Sequence, residues 1–259
     1  MTFGSTAAFS QTAADYAATM APALVPVAAE VVRRAALRPG ETVLDVGTGT
    51  GTAARMALGD GRRVIGLDGA AGMLAIAARE VPQAELVEAD FSAIPLDDGA
   101  IDVLLAVHAL LFAKDRTATL AEWLRVTVSG GRLSMSVPGP GTIAPIAVLG
   151  GVYDRYGIEW KFADYPEPTD LAAWARDAGW QDVSVDADPT TGIPLADEDA
   201  FRRWLRVGRI TSDWSEDRRD AFAHDLIAVA PRQGDGSFRL PFGTIYLTAR
   251  RPASSASPS

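Results

Sequence analysis

From Thr42 to Ala187, short branched and apolar segments alternate with segments of helical spacing, and this alternation is the tightest constraint the chain carries. Strand–helix repeats of this kind predict a mostly parallel sheet covered by helices on both faces, a doubly wound α/β fold. Strands are expected at Thr42 to Val46, Arg63 to Leu67, Ala84 to Glu88, Ile101 to Val107, Arg132 to Val137 and Val183 to Ala187. Helices are expected near Thr50 to Gly59, Ala70 to Val81, Thr117 to Val128 and Thr169 to Ala178. A closing strand is expected from Phe238 to Thr248, where Pro241 marks an irregularity or an edge position.

The flanks break the pattern. Thr12 to Leu37 has helical spacing interrupted at Pro22 and Pro26, which predicts two short helices forming an N-terminal cover over residues 1–38. One main domain then spans 39–250, because 259 residues suffice for a single large α/β unit with insertions. Segments 139–166 and 196–231 stand outside the alternation and are lid candidates, since ligands of such sheets bind at the carboxyl ends of the strands. Residues 251–259 are expected to be a disordered tail.

Composition removes several chemistries. No apolar run approaches the roughly 18 residues of a membrane span, and the first residues lack the basic start of a secretory signal, so a cytoplasmic location without membrane partners is expected. Cysteine is absent, which excludes thiolate nucleophiles and thiolate metal ligands; with only His108 and His224 as imidazoles, no metal site is expected. A net charge of −9 without a basic, aromatic-studded stripe argues against nucleic acid. Abundant alanine, with Lys114 and Lys161 the only lysines among 24 basic residues, fits G+C-rich bacterial coding.

The stretch VLDVGTGTG runs from a strand through Gly47, Gly49 and Gly51 into a helix, so the chain turns tightly and a ligand can approach the backbone. A dinucleotide-binding turn wants glycine five positions after the first, and that position is Thr52. Asp45, two positions before Gly47, would repel a pyrophosphate and attract an ammonium or sulfonium. S-adenosyl-L-methionine carries both cations and no phosphate. Asp68 ends the second strand 17 residues after Gly51, near where an acid hydrogen-bonds ribose hydroxyls.

On these residues the chain resembles the class I S-adenosylmethionine-dependent methyltransferases, and within them the ubiquinone/menaquinone C-methyltransferase-like (methyltransferase type 11) group. The resemblance implies a Rossmann-like, seven-stranded sheet and S-adenosyl-L-methionine as cofactor. It implies that Thr48 and Gly69 belong to the cofactor turns, that Asp90 in Ala89-Asp90-Phe91 accepts from the adenine amine, and that Phe91 and Met73 border the ring. Val107 falls where the family passes chain beneath the methionine moiety, and Tyr16 resembles a position closing over that end. Ser129-Gly130-Gly131 matches a lysine-proline-glycine-glycine turn, with Ser129 in place of proline.

Methyl transfer is an in-line displacement for which alignment and shielding do much of the work, while phenols, enols and carbon acids also need a base. His108, directly after strand four, is the candidate catalytic residue, either as that base or as a positioning group. Tyr153, Tyr156, Trp160 and Trp204 are candidate contacts to a small, apolar or aromatic acceptor, with core packing as the other reading. O-methylation is placed ahead of C- or N-methylation, in bacterial secondary metabolism. Two alternatives stand beside it: a non-methylating cyclisation or rearrangement on the same fold, and an NAD-dependent oxidoreductase.

Overall fold

A computed structural model describes residues 5–139, 144–158, 166–207, 211, 214–241 and 243–253. Its centre is a seven-stranded sheet built from β1 (Thr42–Val46), β2 (Arg63–Asp68), β3 (Glu85–Glu88), β4 (Ile101–Val107), β5 (Thr127–Gly139), β6 (Gln181–Asp188) and β9 (Gly243–Arg250), in the order β3-β2-β1-β4-β5-β9-β6. All neighbours run parallel except β9, which is antiparallel to both β5 and β6. The doubly wound, mostly parallel expectation holds.

Helices α3 (Thr52–Ala57), α4 (Ala71–Glu80), α5 (Arg116–Val126) and α7 (Pro168–Asp177) lie within a few residues of their expected places. The central strands read as unbroken apolar runs because they are buried on both faces. Leu44, Ile65, Leu104, Met135 and Leu247 share one cluster with Trp123 and Trp180, while Val43, Val64, Val103 and Leu105 face the other way.

That second face is covered by α2 (Ala13–Ala35), one 23-residue helix where two short ones are expected, and it carries both Pro22 and Pro26 inside it. Each proline deprives the carbonyl four residues earlier of its partner, here Ala18 and Pro22. Ala18, Pro22 and Pro26 are all exposed, so the orphaned carbonyls sit on the face that water reaches. The opposite stripe, Ala23, Leu24, Val27, Ala28, Val31 and Ala35, is buried, and its packing holds the helix together across both prolines. Ahead of α2 the chain forms a separate short helix, α1 (Thr6–Gln11).

Two further expectations are corrected. Ser129-Gly130-Gly131 is not a turn ahead of strand five but a bulge inside β5: Ile101 pairs with Thr127 and Val103 with Arg132, so the extra residues loop out. The closing strand is divided. β8 (Phe238–Pro241) pairs with an unforeseen strand, β7 (Gly192–Leu195), in a separate two-stranded sheet, and β9 alone joins the main one. The start of the expected tail is also tied down, since the Arg251 guanidinium donates to the carbonyls of Leu124, Arg125 and Thr127; residues 254–259 lie outside the described residues.

The two segments set apart from the alternation contain α6 (Ala144–Arg155) in the first and α8 (Glu198–Arg206) with α9 (Glu216–Val229) in the second. With β7 and β8 they enclose a second apolar cluster, of Leu149, Val152, Tyr153, Phe201, Phe222, Leu226 and Phe238.

At the amino ends of the strands, Arg132 donates to both oxygens of Glu41 (2.8 and 2.7 Å) and to the carbonyls of Ala35 (2.9 Å) and Ala36 (3.2 Å), capping α2. Both side chains are about nine-tenths buried, at 11% and 12% exposure. Removing one partner of such a pair strands the other charge, at a cost of about 3 to 5 kcal/mol. Arg132→Ala should lower urea-denaturation stability by that amount. Arg63→Ala, which opens an ion pair to Glu85 that is half exposed on both sides, should change it by about 0 to 1 kcal/mol.

Candidate functional site

The carboxyl ends of β1, β2 and β4 converge on the glycine turn. Gly47, Gly49 and Gly51 all have positive φ, at 64°, 56° and 87°. At two of them space adds to the conformational demand: a Cβ on Gly47 would lie 2.7 Å from the Ala109 Cβ, and one on Gly51 would lie 2.5 Å from a Val81 methyl. The turn therefore sits flush against the exit of β4 on one side and the end of α4 on the other.

Asp45 is buried, at 1% exposure, and one oxygen, Oδ2, accepts from the Thr48 hydroxyl (2.7 Å) and from the Ala54 backbone N–H (3.0 Å). It thus caps α3 from a distance, at a helix end that favours negative charge. Burial nonetheless pushes its carboxyl up to about 7, against the pull of those two hydrogen bonds and with the Asp68 charge adding to the rise. Asp68 bridges two turns. Its Oδ2 accepts from Gly49 N–H and its Oδ1 from Ala70 N–H, both at 2.8 Å, and burial holds its carboxyl above the usual range despite these bonds.

Tyr16 of α2 leans over this pair, with its ring and hydroxyl 3.8 and 3.9 Å from where a Gly49 Cβ would stand. Burial raises its phenol, and the Asp68 and Asp45 charges raise it further. Between α2 and the turn lies a cleft lined by Tyr16, Asp45, Gly47, Thr48 and Val107 from the sequence reading. Leu24, Ala28, Thr50, Thr52 and Ala53 complete the wall and were missed as site residues; the first two follow Tyr16 at helical intervals, a signal readable only once α2 is one helix.

The neighbouring tips carry the remaining candidates. Gly69 follows Asp68, and Met73 is buried with Ala13 and Ala70, with Phe9 and Tyr16 against them. Ala89 N–H donates to the Asp68 carbonyl (3.1 Å), joining the β2 and β3 tips. Asp90 is exposed and its Oδ1 accepts from both the N–H (2.8 Å) and hydroxyl (2.6 Å) of Ser92, which holds its carboxyl below the usual range. Phe91 packs edge-on against Trp123 and accepts the indole N–H at its carbonyl (2.9 Å).

His108 leaves β4 in the left-handed region, at φ 54°, and its N–H donates to the Ser136 carbonyl (3.0 Å). At 8% exposure the ring is buried, and burial lowers its pKa to about 3. It is a neutral imidazole throughout the ordinary pH range.

The acceptor candidates are not gathered at this cleft. Tyr153 is 2% exposed and meets Phe222 edge-on at 5.2 Å; Tyr156 stacks on Trp214 at 5.7 Å and its hydroxyl donates to Asp225; Trp204 meets Phe201 at 5.6 Å. Much of their ring surface is spent on one another inside the helical layer. Trp160 lies outside the described residues. Among the described residues no His, Asp and Glu cluster has metal-binding geometry, and no helix is long and apolar enough to cross a membrane.

A carboxyl raised by folding contributes stability that is lost as pH climbs through its folded value, here about 7. The ligand-free protein should therefore lose about 1 to 2 kcal/mol between pH 6 and pH 8 through this group. Asp45→Asn should flatten that slope in urea titrations at the two pH values; parallel slopes would show that Asp45 is already ionised below pH 6.

The methyltransferase domain family matches residues 44–135, which run from β1 into β5. The demethylmenaquinone methyltransferase of Beutenbergia cavernae is 33% identical over 163 residues, covering 56% of this chain and 68% of that protein. Among solved structures, the [4+2]-cyclase SpnF is 21% identical with a TM-score of 0.58, over 89% of this chain and 82% of that one. The geranyl diphosphate C-methyltransferase of Streptomyces coelicolor, solved with S-adenosyl-L-homocysteine, is 17% identical with a TM-score of 0.55, over 87% and 78%. These two likenesses establish the shared Rossmann-like fold, and the curated relative, with the domain match, establishes the lineage. The chain belongs to the class I S-adenosyl-L-methionine-dependent methyltransferases.

Proposed function

We propose that this enzyme methylates a small, apolar or aromatic organic acceptor at an activated oxygen or carbon, in the cytoplasm of a bacterium. The observation that carries the cofactor half is the pair of carboxylates on adjacent strand tips, the buried Asp45 and the half-buried Asp68, around a turn whose three glycines leave its backbone open. Bound there, the cofactor supplies a methyl group on a sulfonium that an acceptor displaces in line.

Asp68, already accepting two backbone N–H groups, takes the ribose hydroxyls; Asp45 and the Gly47–Gly49 turn take the cationic methionine end, with Val107 beneath it and Tyr16 above. Asp90, Phe91 and Met73 receive the adenine ring. A cation beside Asp45 offsets the cost of its buried charge, so binding should strengthen as pH rises through 7.

The apolar acceptor is supported by the second cluster of α6, α8, α9, β7 and β8, which we read as the lid, and by the quinone and prenyl compounds in the names of two similar proteins. Tyr156 and Trp204, each half-buried, keep ring surface for contact, whereas Tyr153 supports the lid from within. His108 acts by position. A ring held near 3 is too weak a base for a phenol near 10, so the acceptor proton leaves by another route or before binding.

Incubation with S-adenosyl-L-methionine and a panel of quinols, phenols and prenylated compounds tests the reading: release of S-adenosyl-L-homocysteine supports it, and product formed without that release would point to cyclisation. Asp68→Ala should weaken S-adenosyl-L-homocysteine binding by roughly ten- to a hundredfold, the worth of a charged hydrogen bond, in calorimetry; unchanged affinity removes Asp68 from the ribose. His108→Gln should lower kcat while leaving the pH–rate profile in shape. A rising limb present in the wild type and lost in the variant would restore the general-base role.

A further inference from the structure

A second cavity opens on the carboxyl rim of the sheet, and it shares no lining residue with the cleft beside Asp45. It encloses about 230 Å³ among the ends of three strands, Gly139 of β5, Gly243 and Ile245 of β9 and Ala187 of β6, with Pro168 at the start of α7. The antiparallel course of β9 makes this space. Its first residue lies beside the last of β5, and Ala187 of β6 pairs with Ile245. Ile245 leans over Gly139, where a Cβ would stand 2.6 Å from its Cγ1, and it joins Leu171 of α7 in the main core. Short side chains at the strand ends thus leave a slot with room for about eight water-sized groups at ~30 Å³ each.

The walls of the slot are largely hydrocarbon, and its charged groups are acids. Glu167, which is exposed, and Asp188 line it, and no basic side chain among the described residues does. Asp188 Oδ1 already accepts the Thr190 N–H (2.8 Å) and hydroxyl (2.6 Å), and the Thr244 hydroxyl shares a hydrogen bond with that of Thr191 (2.9 Å). An anion would meet two carboxylates and no counter-charge. An uncharged apolar group meets methyls, methylenes and glycine backbone.

The place of the slot relative to the reacting end follows from the register of the sheet. Val107, Ser136, Tyr246 and Asp186 form one row across β4, β5, β9 and β6. Gly139 is one strand over from Val107 and three residues further along; Ala187 is three strands over and one residue further along. At roughly 4.8 Å between strands and 3.3 Å per residue, both lie about 11 to 15 Å from Val107.

We propose that this slot is a specificity site for the acceptor: it seats the far, uncharged apolar end of an elongated substrate whose reacting atom stands at the exit of β4. This rests on the reading of Asp45 and Asp68 as cofactor ligands, which puts the methyl group near Val107. A compact acceptor never reaches the slot, so selection is by length and by the absence of negative charge at the far end.

Two phenols test this. 4-Geranyloxyphenol has an arm long enough to reach the slot from the exit of β4, and 4-methoxyphenol lacks it. In calorimetry with S-adenosyl-L-homocysteine present, wild type should bind the first roughly tenfold or more tightly than the second, from burial of the arm. Ala187 is exposed and faces the slot, so Ala187→Trp fills it without disturbing the core. That variant should bring the two affinities within about threefold and leave S-adenosyl-L-homocysteine affinity unchanged. Equal affinities in wild type, or a preference that survives in the variant, overturns the proposal. Failure of S-adenosyl-L-homocysteine to bind wild type strikes the cofactor reading instead, and the two phenols titrated without it still decide on the slot. If the tryptophan variant does not fold, Ala187→Cys replaces it, in a chain that otherwise has no thiol. 4-Geranyloxyphenol at about four times its Kd should then slow alkylation by N-ethylmaleimide roughly fivefold, with 4-methoxyphenol at the same concentration without effect; equal rates overturn the proposal.

Discussion

One carboxylate holds the glycine-turn end of the sheet together. Asp45 lies out of water and bonds the Thr48 hydroxyl and the first turn of α3, so strand, glycine turn and helix behave as one rigid piece. Gly47 then seats that piece against Ala109, registering the exit of β1 against the exit of β4, and Asp68 ties the same turn to β2. The arrangement carries a tension: burial disfavours the charge of both acids, and the Asp68 charge adds to the rise at Asp45. A cationic ligand relieves it, and the apoprotein tolerates it because backbone N–H groups already face both acids.

The molecule has two apolar centres, and α2 belongs to both. Leu24, Val27 and Val31 close the face of the sheet, while Met20 and Ala23 pack into the cluster of α6, α8 and α9. Tyr16 stands on the same helix, so the element that roofs the glycine turn also seats the layer assigned to the acceptor. Arg34 reinforces the join, bonding Glu30 on α2 and Asp186 on β6 while lying over the Tyr246 ring at 4.8 Å. Movement in the helical layer is mechanically connected to the cleft.

Much of this was legible in the residues. Strands such as Thr42–Val46 and Ile101–Val107 announce themselves as buried runs, and the acids at 45 and 68 mark their tips by spacing from the glycines. What escaped depends on tertiary context. Whether Pro22 and Pro26 break a helix turns on whether the freed carbonyls meet water, which local sequence does not state. The four residues of β7, with a proline among them, become a strand only because β8 arrives beside them. Phe9 against Phe112 pairs positions far apart in the chain, and no local period encodes the contact. The aromatics of the helical layer show the converse, since a stripe suggestive of a pocket proves largely to be packing.

The position of β9 has a consequence for how the molecule is made. It is the last strand in chain order yet lies between β5 and β6, antiparallel to both. During synthesis from the amino end, β1 to β5 can assemble as they emerge, but the outer rim of β5 stays unpaired and β6 has no neighbour until Gly243–Arg250 has left the ribosome. The nascent chain therefore displays a bare strand edge, the feature most prone to intermolecular pairing, for the time it takes to add about a hundred residues at roughly 5 to 20 per second. Completion of the sheet is a single late insertion, and newly made chains are exposed to aggregation until it happens.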